Sequence, residues 1–359
     1  MDLLSQVNIG MIGCGGIAFG KHLPSLAKVQ EARLTAFFDV SEERAQEAKA
    51  KFGTPDAKVY GTIQELLNDP DVQVVHVCTP NDTHAEISIA AMEAGKHVLC
   101  EKPMAKTSAD AQRMLEVSER TGRKLSIAYQ NRFRADSRWL KSACANGELG
   151  EIYMAKAHAV RRRAVPTWGV FLDQEKQGGG PLIDIGTHAL DLALWMMDNY
   201  EPRTVLGTTY RKLAEQGSPA NAWGNWDPSK FTVEDSAFAM ITMKNGASIW
   251  LESSWALNTL DVDEAKVTLC GTKAGADMKG GLRVNGEEHG HLYTKEIVLG
   301  NQWSAEAPND SAEREAQAWI DAILNDHAPV VTAKQGLVVQ QILEAIYESA
   351  AQGQAVSFV

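Results

Sequence analysis

The sequence predicts an α/β fold in two parts. Residues 1–128 form an N-terminal domain on a parallel sheet, and residues 129–359 form an α+β domain on a mainly antiparallel sheet. Three observations carry this. Short apolar runs alternate with helical stretches up to residue 128, the pattern of strands joined by helical crossovers. A glycine-rich turn follows the first run. After Tyr129 the apolar runs lengthen, and two of them flank Asn245-Gly246, a hairpin signal.

In chain order, residues 7–12 read as a buried strand that enters Gly13-Cys14-Gly15-Gly16, and a helix then carries the chain to about Val29. Residues 34–38 form the second strand and end at Asp39. Residues 42–52 are helical, and Gly53 stops them. Residues 72–78 form a strand, Asn81-Asp82 offers capping oxygens, and a helix over 83–94 closes at Gly95. His97-Val98-Leu99-Cys100 is the strand before Glu101-Lys102-Pro103. Ser108 caps a helix that stops at Gly122, and 125–128 completes the set. In the second part, helices are expected over 136–146, 182–197, 311–325 and 332–351. Strands are expected over 151–163, 205–210, 236–243, 248–255 and 265–270.

A chain of 359 residues exceeds one ordinary core and suits two domains. The formal charge of −11 argues against a nucleic-acid or anionic-membrane partner. The five cysteines are scattered, without a CxxC, and read as reduced thiols. No run approaches transmembrane length and the first residues have no leader pattern, so a cytoplasmic location is expected.

Gly13-x-Gly15-x-x-Ala18 follows a strand and opens a helix. The first glycine permits the tight turn, the second lets the backbone approach a pyrophosphate, and a small third residue lets helix and strand pack closely. Gly16 and Ile17 lie at the helix N-terminus, whose N–H groups suit phosphate. Asp39 stands at the end of the next strand, positioned to accept a ribose 2′-hydroxyl and to repel a 2′-phosphate. That favours NAD over NADP, and Arg44 keeps NADP open. Thr79-Pro80-Asn81 should border the same cofactor. His84 is either a further contact or a solvated first-turn histidine.

Lys102 stands at the carboxyl end of a strand, where open α/β sheets bind ligands, with Glu101 beside it. Downstream, Asp184, His188 and Asp191 are spaced i, i+4 and i+7 and share one helical face. No HExxH and no cysteine cluster accompanies them, so no metal is assigned. A histidine beside a carboxylate suits general acid–base work on a hydroxyl. Trp168 offers an indole face to a pyranose ring, and Trp223, Trp226 and Trp303 could extend it or serve packing.

These motifs resemble those of the glucose–fructose oxidoreductase / inositol dehydrogenase / rhizopine-catabolism (Gfo/Idh/MocA) family. The resemblance rests on Gly13-Cys14-Gly15-Gly16-Ile17-Ala18, Thr79-Pro80-Asn81-Asp82-Thr83-His84, the run Ala94 through Pro103, and Asp184-x-x-x-His188. It implies a Rossmann domain followed by an α/β domain with a large open sheet. It also implies NAD(P)-linked oxidation of a CHOH group of a sugar, glycoside or polyol, and assembly as a homodimer or homotetramer through the sheet face. By the same resemblance Lys102 and His188 are the catalytic pair with Asp184 as partner. Gln130, Asn131, Arg161 and Asp191 fall at substrate positions. Arg161 replaces the asparagine common in inositol enzymes, and the segment Arg161 to Gly169 looks like the substrate loop of glycoside-oxidising members. The alternatives are an inositol 2-dehydrogenase, a redox-neutral glycoside-cleaving enzyme that holds NAD, and a non-enzymatic NAD or sugar sensor.

Overall fold

The structure, a computed structural model, describes residues 6–299 and 311–358. The first part runs β1 (Val7–Ile12), α1 (Leu23–Leu26), β2 (Ala32–Phe38), α2 (Glu42–Phe52), β3 (Lys58–Val59), α3 (Ile63–Asn68), β4 (Val74–Val77), α4 (His84–Glu93), β5 (His97–Cys100), α5 (Ser108–Thr121) and β6 (Leu125–Ile127). Then follow α6 (Ala135–Ala145), β7 (Ile152–Val160), α7 (Gln174–Gln177), α8 (Thr187–Met197), β8 (Pro202–Tyr210), β9 (Ser236–Met243), β10 (Ser248–Ser254) and β11 (Asp263–Gly271). The chain closes with β12 (Ala274–Asp277), β13 (Arg283–Glu288), β14 (His291–Glu296), α9 (Ser311–Leu324), α10 (Ala333–Gln352) and β15 (Val356–Ser357).

Packing divides the chain into two compact units, Met1–Phe133 with Asp310–Leu337, and Arg134–Asn309 with Val338–Val359. Contiguous reading drew one boundary, after residue 128. The 310–337 segment groups with the first unit through bonds between residues far apart in sequence. Ser126 Oγ donates to the Val331 carbonyl at 2.9 Å, and Arg132 Nη1 donates to the Val330 carbonyl at 3.0 Å and to Gln335 Oε1 at 2.8 Å.

In the first unit six strands are ordered β3-β2-β1-β4-β5-β6, and every recorded pair is parallel. This is the doubly wound order, in which ligands bind at the carboxyl ends of the strands where the order reverses. The sheet's core strands are buried on both faces and mostly apolar, as a sheet covered on both sides requires. The helix expected after the glycine turn is present over residues 16–26, with a π-helical turn, Ala18–His22, leading into the short α1. Pro24, at the start of α1, has no N–H to give to the preceding turn, so the ladder resets there. Two further corrections concern caps. Thr107, not Ser108, caps α5, with its hydroxyl accepting the Asp110 N–H at 3.1 Å. Asn81-Asp82 forms a 3₁₀ turn, and Thr83 at the start of α4 has no side-chain cap bond.

In the second unit nine strands are ordered β14-β13-β12-β11-β7-β10-β9-β8-β15, and β7–β10 is the one recorded parallel pair. Gly246, at φ 90°, makes the β9–β10 turn that Asn245-Gly246 predicts. One sheet face carries buried Ala155, Ala157, Ile241, Ile249, Leu251, Val267 and Leu269, with α8 packed against it. The pattern is broken at Ala265, a bulge at φ 52°. Glu264 lies opposite Ala159 and Lys266 opposite His158, adjacent positions on β7. Two residues that regular alternation would put on one face therefore lie on opposite faces.

Arg134 donates to the Ala265 carbonyl at 2.9 Å and forks onto Asp136 at 3.0 and 2.7 Å, while Lys266 reaches Asp136 at 2.8 Å. Partial burial alone would push the Asp136 carboxyl up, but Arg134 and Lys266 overcome that and bring it from 3.8 to about 2. A carboxyl depressed by folding stabilises above its unfolded value and loses that contribution as pH falls through its folded value. Asp136→Asn should therefore cost about 2 kcal/mol at pH 7 in urea unfolding. The gap from the parent should close as pH falls from near 3.8 toward about 2, and a gap that widens instead would reject the pairing.

Candidate functional site

The first unit gathers the glycine turn, Asp39, the Thr79 loop and the Lys102 loop at the carboxyl ends of β1, β2, β4 and β5. Gly13 sits at φ 91°, and a Cβ there would stand 2.6 Å from the Cys78 carbonyl oxygen, so the turn accepts nothing larger. A Cβ on Gly15 or Gly16 would meet no atom within 4 Å, so the space above that backbone is open. Asp39 accepts the Cys14 N–H at 2.7 Å and the Ser41 N–H at 2.8 Å, which fixes the carboxylate beside the turn. Ile17 is exposed, and Val40 is 95% exposed, an apolar residue the sequence reading passed over. Open glycine backbone, a fixed carboxylate and bare aliphatic groups together fit a dinucleotide.

His84 is fully buried rather than solvated. Its Nδ1 lies 2.8 Å from the Pro103 carbonyl and its Nε2 2.9 Å from the Thr79 carbonyl. Burial pulls its pKa below the usual histidine value, against the pull of the two carbonyls. It braces the Thr79 loop to the Lys102 loop. Glu101 is also buried, with Lys21 Nζ at 2.9 Å, His22 Nε2 at 2.7 Å and the Lys102 N–H donating to its Oε2 at 3.0 Å. Burial would raise this carboxyl, yet Lys21, His22 and Lys102 hold it well below the usual range. Gln130 and Asn131 lie on a 3₁₀ turn of the same unit, and Gln130 Oε1 accepts from Lys21 at 3.3 Å.

In the second unit Asp184 lies in a π-helical turn, Leu182–Gly186, and His188 and Asp191 lie in α8. All three are buried. The shared face drawn for one regular helix is thus crossed by a wider turn, a device that recurs at functional sites. Gly186 permits this turn to lie close to β10, since a Cβ there would stand 2.9 Å from Ser253 Oγ. Trp255 Nε1 donates to Asp184 Oδ2 at 3.0 Å, and Arg161 Nη1 lies 3.9 Å from the same oxygen.

Arg161 gives its fork to Glu264, at 2.5 Å from Nε and 2.7 Å from Nη2. The Ala265 bulge makes this possible by turning Glu264 onto the face opposite Lys266. The guanidinium also lies 5.2 Å above the Trp223 ring. Trp168 and Trp223 meet edge to face at 5.0 Å, with 51% and 43% of their surfaces exposed. Phe171 links Trp168, at 5.8 Å, to Trp255, at 6.3 Å, and so to Asp184. Trp226 is core, its indole N–H bonded to the Ala214 carbonyl at 2.9 Å, and Trp303 falls outside the described residues.

The sequence reading missed Glu234 and Tyr347. Glu234 is buried at the head of the π turn, where it accepts the Gly180 N–H at 2.9 Å, the Leu182 N–H at 3.1 Å and the Tyr347 hydroxyl at 2.8 Å. Burial pushes its carboxyl up, and these bonds pull partly back. No local signal pointed to Glu234, which lies 54 residues from Gly180. Among the described residues no group of three His, Cys, Asp or Glu side chains is placed to hold a metal, and no helix is long and apolar enough to cross a membrane.

Family models match both parts. Residues 7–129 match the oxidoreductase family with an NAD-binding Rossmann fold, and residues 141–358 match that family's C-terminal alpha/beta domain. A relative from Escherichia coli K12, named D-glucoside 3-dehydrogenase, is 36% identical over 97% of each chain. Myo-inositol 2-dehydrogenase of Thermotoga maritima is 36% identical over 53% of this chain and 55% of its own. The crystal structure of an aldose-aldose oxidoreductase from Caulobacter crescentus, in complex with glycerol, matches with a TM-score of 0.79 at 26% identity, covering 98% of this chain and 100% of that one. The chain belongs to the Gfo/Idh/MocA oxidoreductase family, with that family's NAD-binding Rossmann domain and C-terminal alpha/beta domain.

Gly179 tests the packing at the head of the π turn, because a Cβ there would stand 2.0 Å from Tyr347 Oη. Gly179→Ala should destabilise by about 1–3 kcal/mol through overpacking. Tyr347→Phe alone should cost about 1–2 kcal/mol by taking a donor from a buried carboxylate. Measured by denaturant unfolding, the double variant should lose less than the sum of the two, since removing the hydroxyl relieves part of the clash. Strict additivity would reject the contact.

Proposed function

We propose that this protein is an NAD-dependent dehydrogenase of a pyranose-type sugar or glycoside, oxidising one ring CHOH group. Gly13, Gly15, Gly16 and Ile17 would hold the pyrophosphate, and Asp39 the ribose hydroxyls, which favours NAD over NADP. Thr79, Pro80 and Asn81 would border the nicotinamide half, with Glu101 and His84 acting on that border through the loops they hold. When bound, the cofactor supplies the hydride acceptor. His188 takes the hydroxyl proton, with Asp184 as its carboxylate partner. The Lys102 ammonium steadies the developing alkoxide, a role worth several kcal/mol once water is excluded.

The observation that carries the substrate class is the Arg161–Glu264 fork beside Asp184. A hydroxy acid needs a free bidentate arginine for its carboxylate, and this one is spent on Glu264. Asp184 and Asp191 accept hydrogen bonds from neutral hydroxyls and repel an acid. The exposed indoles of Trp168 and Trp223 offer faces to a sugar ring. The D-glucoside 3-dehydrogenase, matched over nearly its whole length, supports a glycoside. The inositol enzyme, matched over about half of its length, supports a cyclic polyol as the second reading.

Assembly as a homodimer or homotetramer is part of the same reading. On the sheet face away from α8, Leu206, Met240 and Trp250 are cross-strand neighbours, and Leu206 and Trp250 are each 50% exposed. Such a row is an apolar surface that a second copy would cover. Light scattering on a sizing column should return two or four times the 39.1 kDa chain mass, and a monomer would end this part of the reading.

Steady-state NADH formation tests the chemistry. A glucoside, glucose, myo-inositol and lactate should rank with the glucoside first and lactate last in kcat/KM. Lactate as the best substrate would overturn the charge argument, and myo-inositol would overturn only the glycoside preference. Lys102→Ala should lower kcat by about 10²-fold or more with NAD still bound. Near-parental turnover in that variant would remove Lys102 from the chemistry.

A further inference from the structure

Lys21 and His22 are consecutive, yet both are buried. The π turn Ala18–His22 that carries them follows the glycine turn, where a surface helix would send one of two neighbours to solvent. The ammonium of Lys21 has three protons and three partners: Glu101 Oε1 at 2.9 Å, Glu315 Oε2 at 2.9 Å and Gln130 Oε1 at 3.3 Å. His22 Nε2 lies 2.7 Å from the same Glu101 oxygen, and His22 Nδ1 meets His76 Nδ1 at 3.2 Å. Desolvation first, then the nearby His22 and Lys21, pull the pKa of the fully buried His76 well below the usual histidine value. Glu315, on α9, is buried, and its free Oε1 has no partner among the described residues. With the Trp319 indole it lines a cavity of about 10 Å³, room for one water.

Taking these charges out of water costs several kcal/mol per ion, and an apolar cluster of equal volume would often be as stable. Stability alone is therefore a weak reason for the cluster. Glu101 links the cluster to the Lys102 loop. One carboxylate oxygen is held by Lys21 and His22, and the other accepts the backbone N–H of Lys102 at 3.0 Å. From the other side, His84 braces the carbonyl of Pro103 at 2.8 Å. The backbone on either side of the Lys102 side chain is thus fixed by buried side chains.

We propose that Lys21, His22 and Glu315 are positioning residues for Lys102, acting through the Glu101 carboxylate. The proposal rests on the catalytic reading of Lys102. None of the three is asked to touch substrate. Removing Lys21 would leave two buried carboxylates without their shared cation, and Glu101 would turn away from the Lys102 N–H or take up a proton. Either change releases the loop. A misplacement near 1 Å at such a site can cost about 10²-fold in rate.

A double-mutant cycle on the full chain tests this. Lys21→Met should lower kcat about tenfold, with the NAD dissociation constant and the substrate KM held within about threefold, the signature of lost placement rather than lost binding. Lys21→Arg should recover most of the loss, because a guanidinium can bridge both carboxylates. In the Lys102→Ala background, Lys21→Met should change kcat by less than about twofold, since residues that act as a unit are not additive. An undiminished tenfold loss there would show that Lys21 acts elsewhere and overturn the proposal, and so would an unchanged kcat in the single variant. If Lys21→Met does not fold, Glu315→Gln, which keeps the shape and an oxygen for Lys21, is put through the same cycle with the same reading. A Lys102→Ala enzyme with parental kcat would instead sink the catalytic reading itself, so the two failures are distinguishable.

Discussion

A carboxylate without water must be surrounded by donors, and that demand organises both the Lys102 loop and the turn that carries Asp184. Glu101 and Glu234 are each nearly sealed from solvent, Glu101 directly before Lys102 and Glu234 at the head of the π turn that carries Asp184. The solutions differ. Glu101 is paired with an ammonium and stays ionised, so its effect reaches the next residue as a fixed negative charge on the Lys102 N–H. Glu234 has backbone N–H groups and a tyrosine hydroxyl but no cation, and burial raises its carboxyl. It acts as a bracket that gathers Gly180, Leu182 and Tyr347. Because backbone groups are the partners in both cases, the carboxylates set where a loop or a helix start can lie, and the neighbouring side chains inherit that placement.

The bulge at Ala265 does similar work by geometry. A regular strand would put Glu264 beside Lys266, away from Arg161. The extra residue turns it, and Arg134 holds the bulge through the Ala265 carbonyl. Arg161 then spends its fork on Glu264 and only approaches Asp184, at 3.9 Å. Trp255 donates to Asp184 Oδ2 at 3.0 Å, and the Arg161 cation lies beyond that bond. An arginine free to fork would invite an acid, whereas one already forked leaves a polar rim suited to hydroxyls.

Much of this was legible in the sequence, and the rest was not for definable reasons. Buried parallel strands are short apolar runs, so Val7–Ile12 and His97–Cys100 stand out at their bounds. The strand β3 has two residues and shows no period, and β13 and β14 are exposed on most positions, so neither reads as a strand. The helix α3 was missed although Thr62 and Glu65 form a capping box, a signal present in the letters. The glycine turn, Asp39 and the Asp184–His188 spacing are local patterns and could be found. Lys21 with Glu315, Arg161 with Glu264, and Glu234 with Tyr347 are pairs joined across 103 residues or more, and one sequence carries no mark of such pairing.

The tryptophans show where residue type stops informing and environment begins. Trp168, Trp223 and Trp226 all fall in loops of one unit; in sequence Trp168 reads as a sugar-facing indole, and Trp223 and Trp226 as either an extension of that surface or packing. The structure separates them by what their indole N–H and ring faces meet. Trp226 gives its N–H to a backbone carbonyl and is sealed against Phe231, which is what a buried indole must do. Trp255, also sealed, gives its N–H to Asp184 and so becomes part of the functional segment without any exposure. Among the described residues, Trp168 and Trp223 keep roughly half their surface bare, against the hydrophobic effect. Exposed indoles next to a buried carboxylate place apolar faces beside hydrogen-bond acceptors. A sugar ring, with apolar C–H faces and a polar edge of hydroxyls, has that same division.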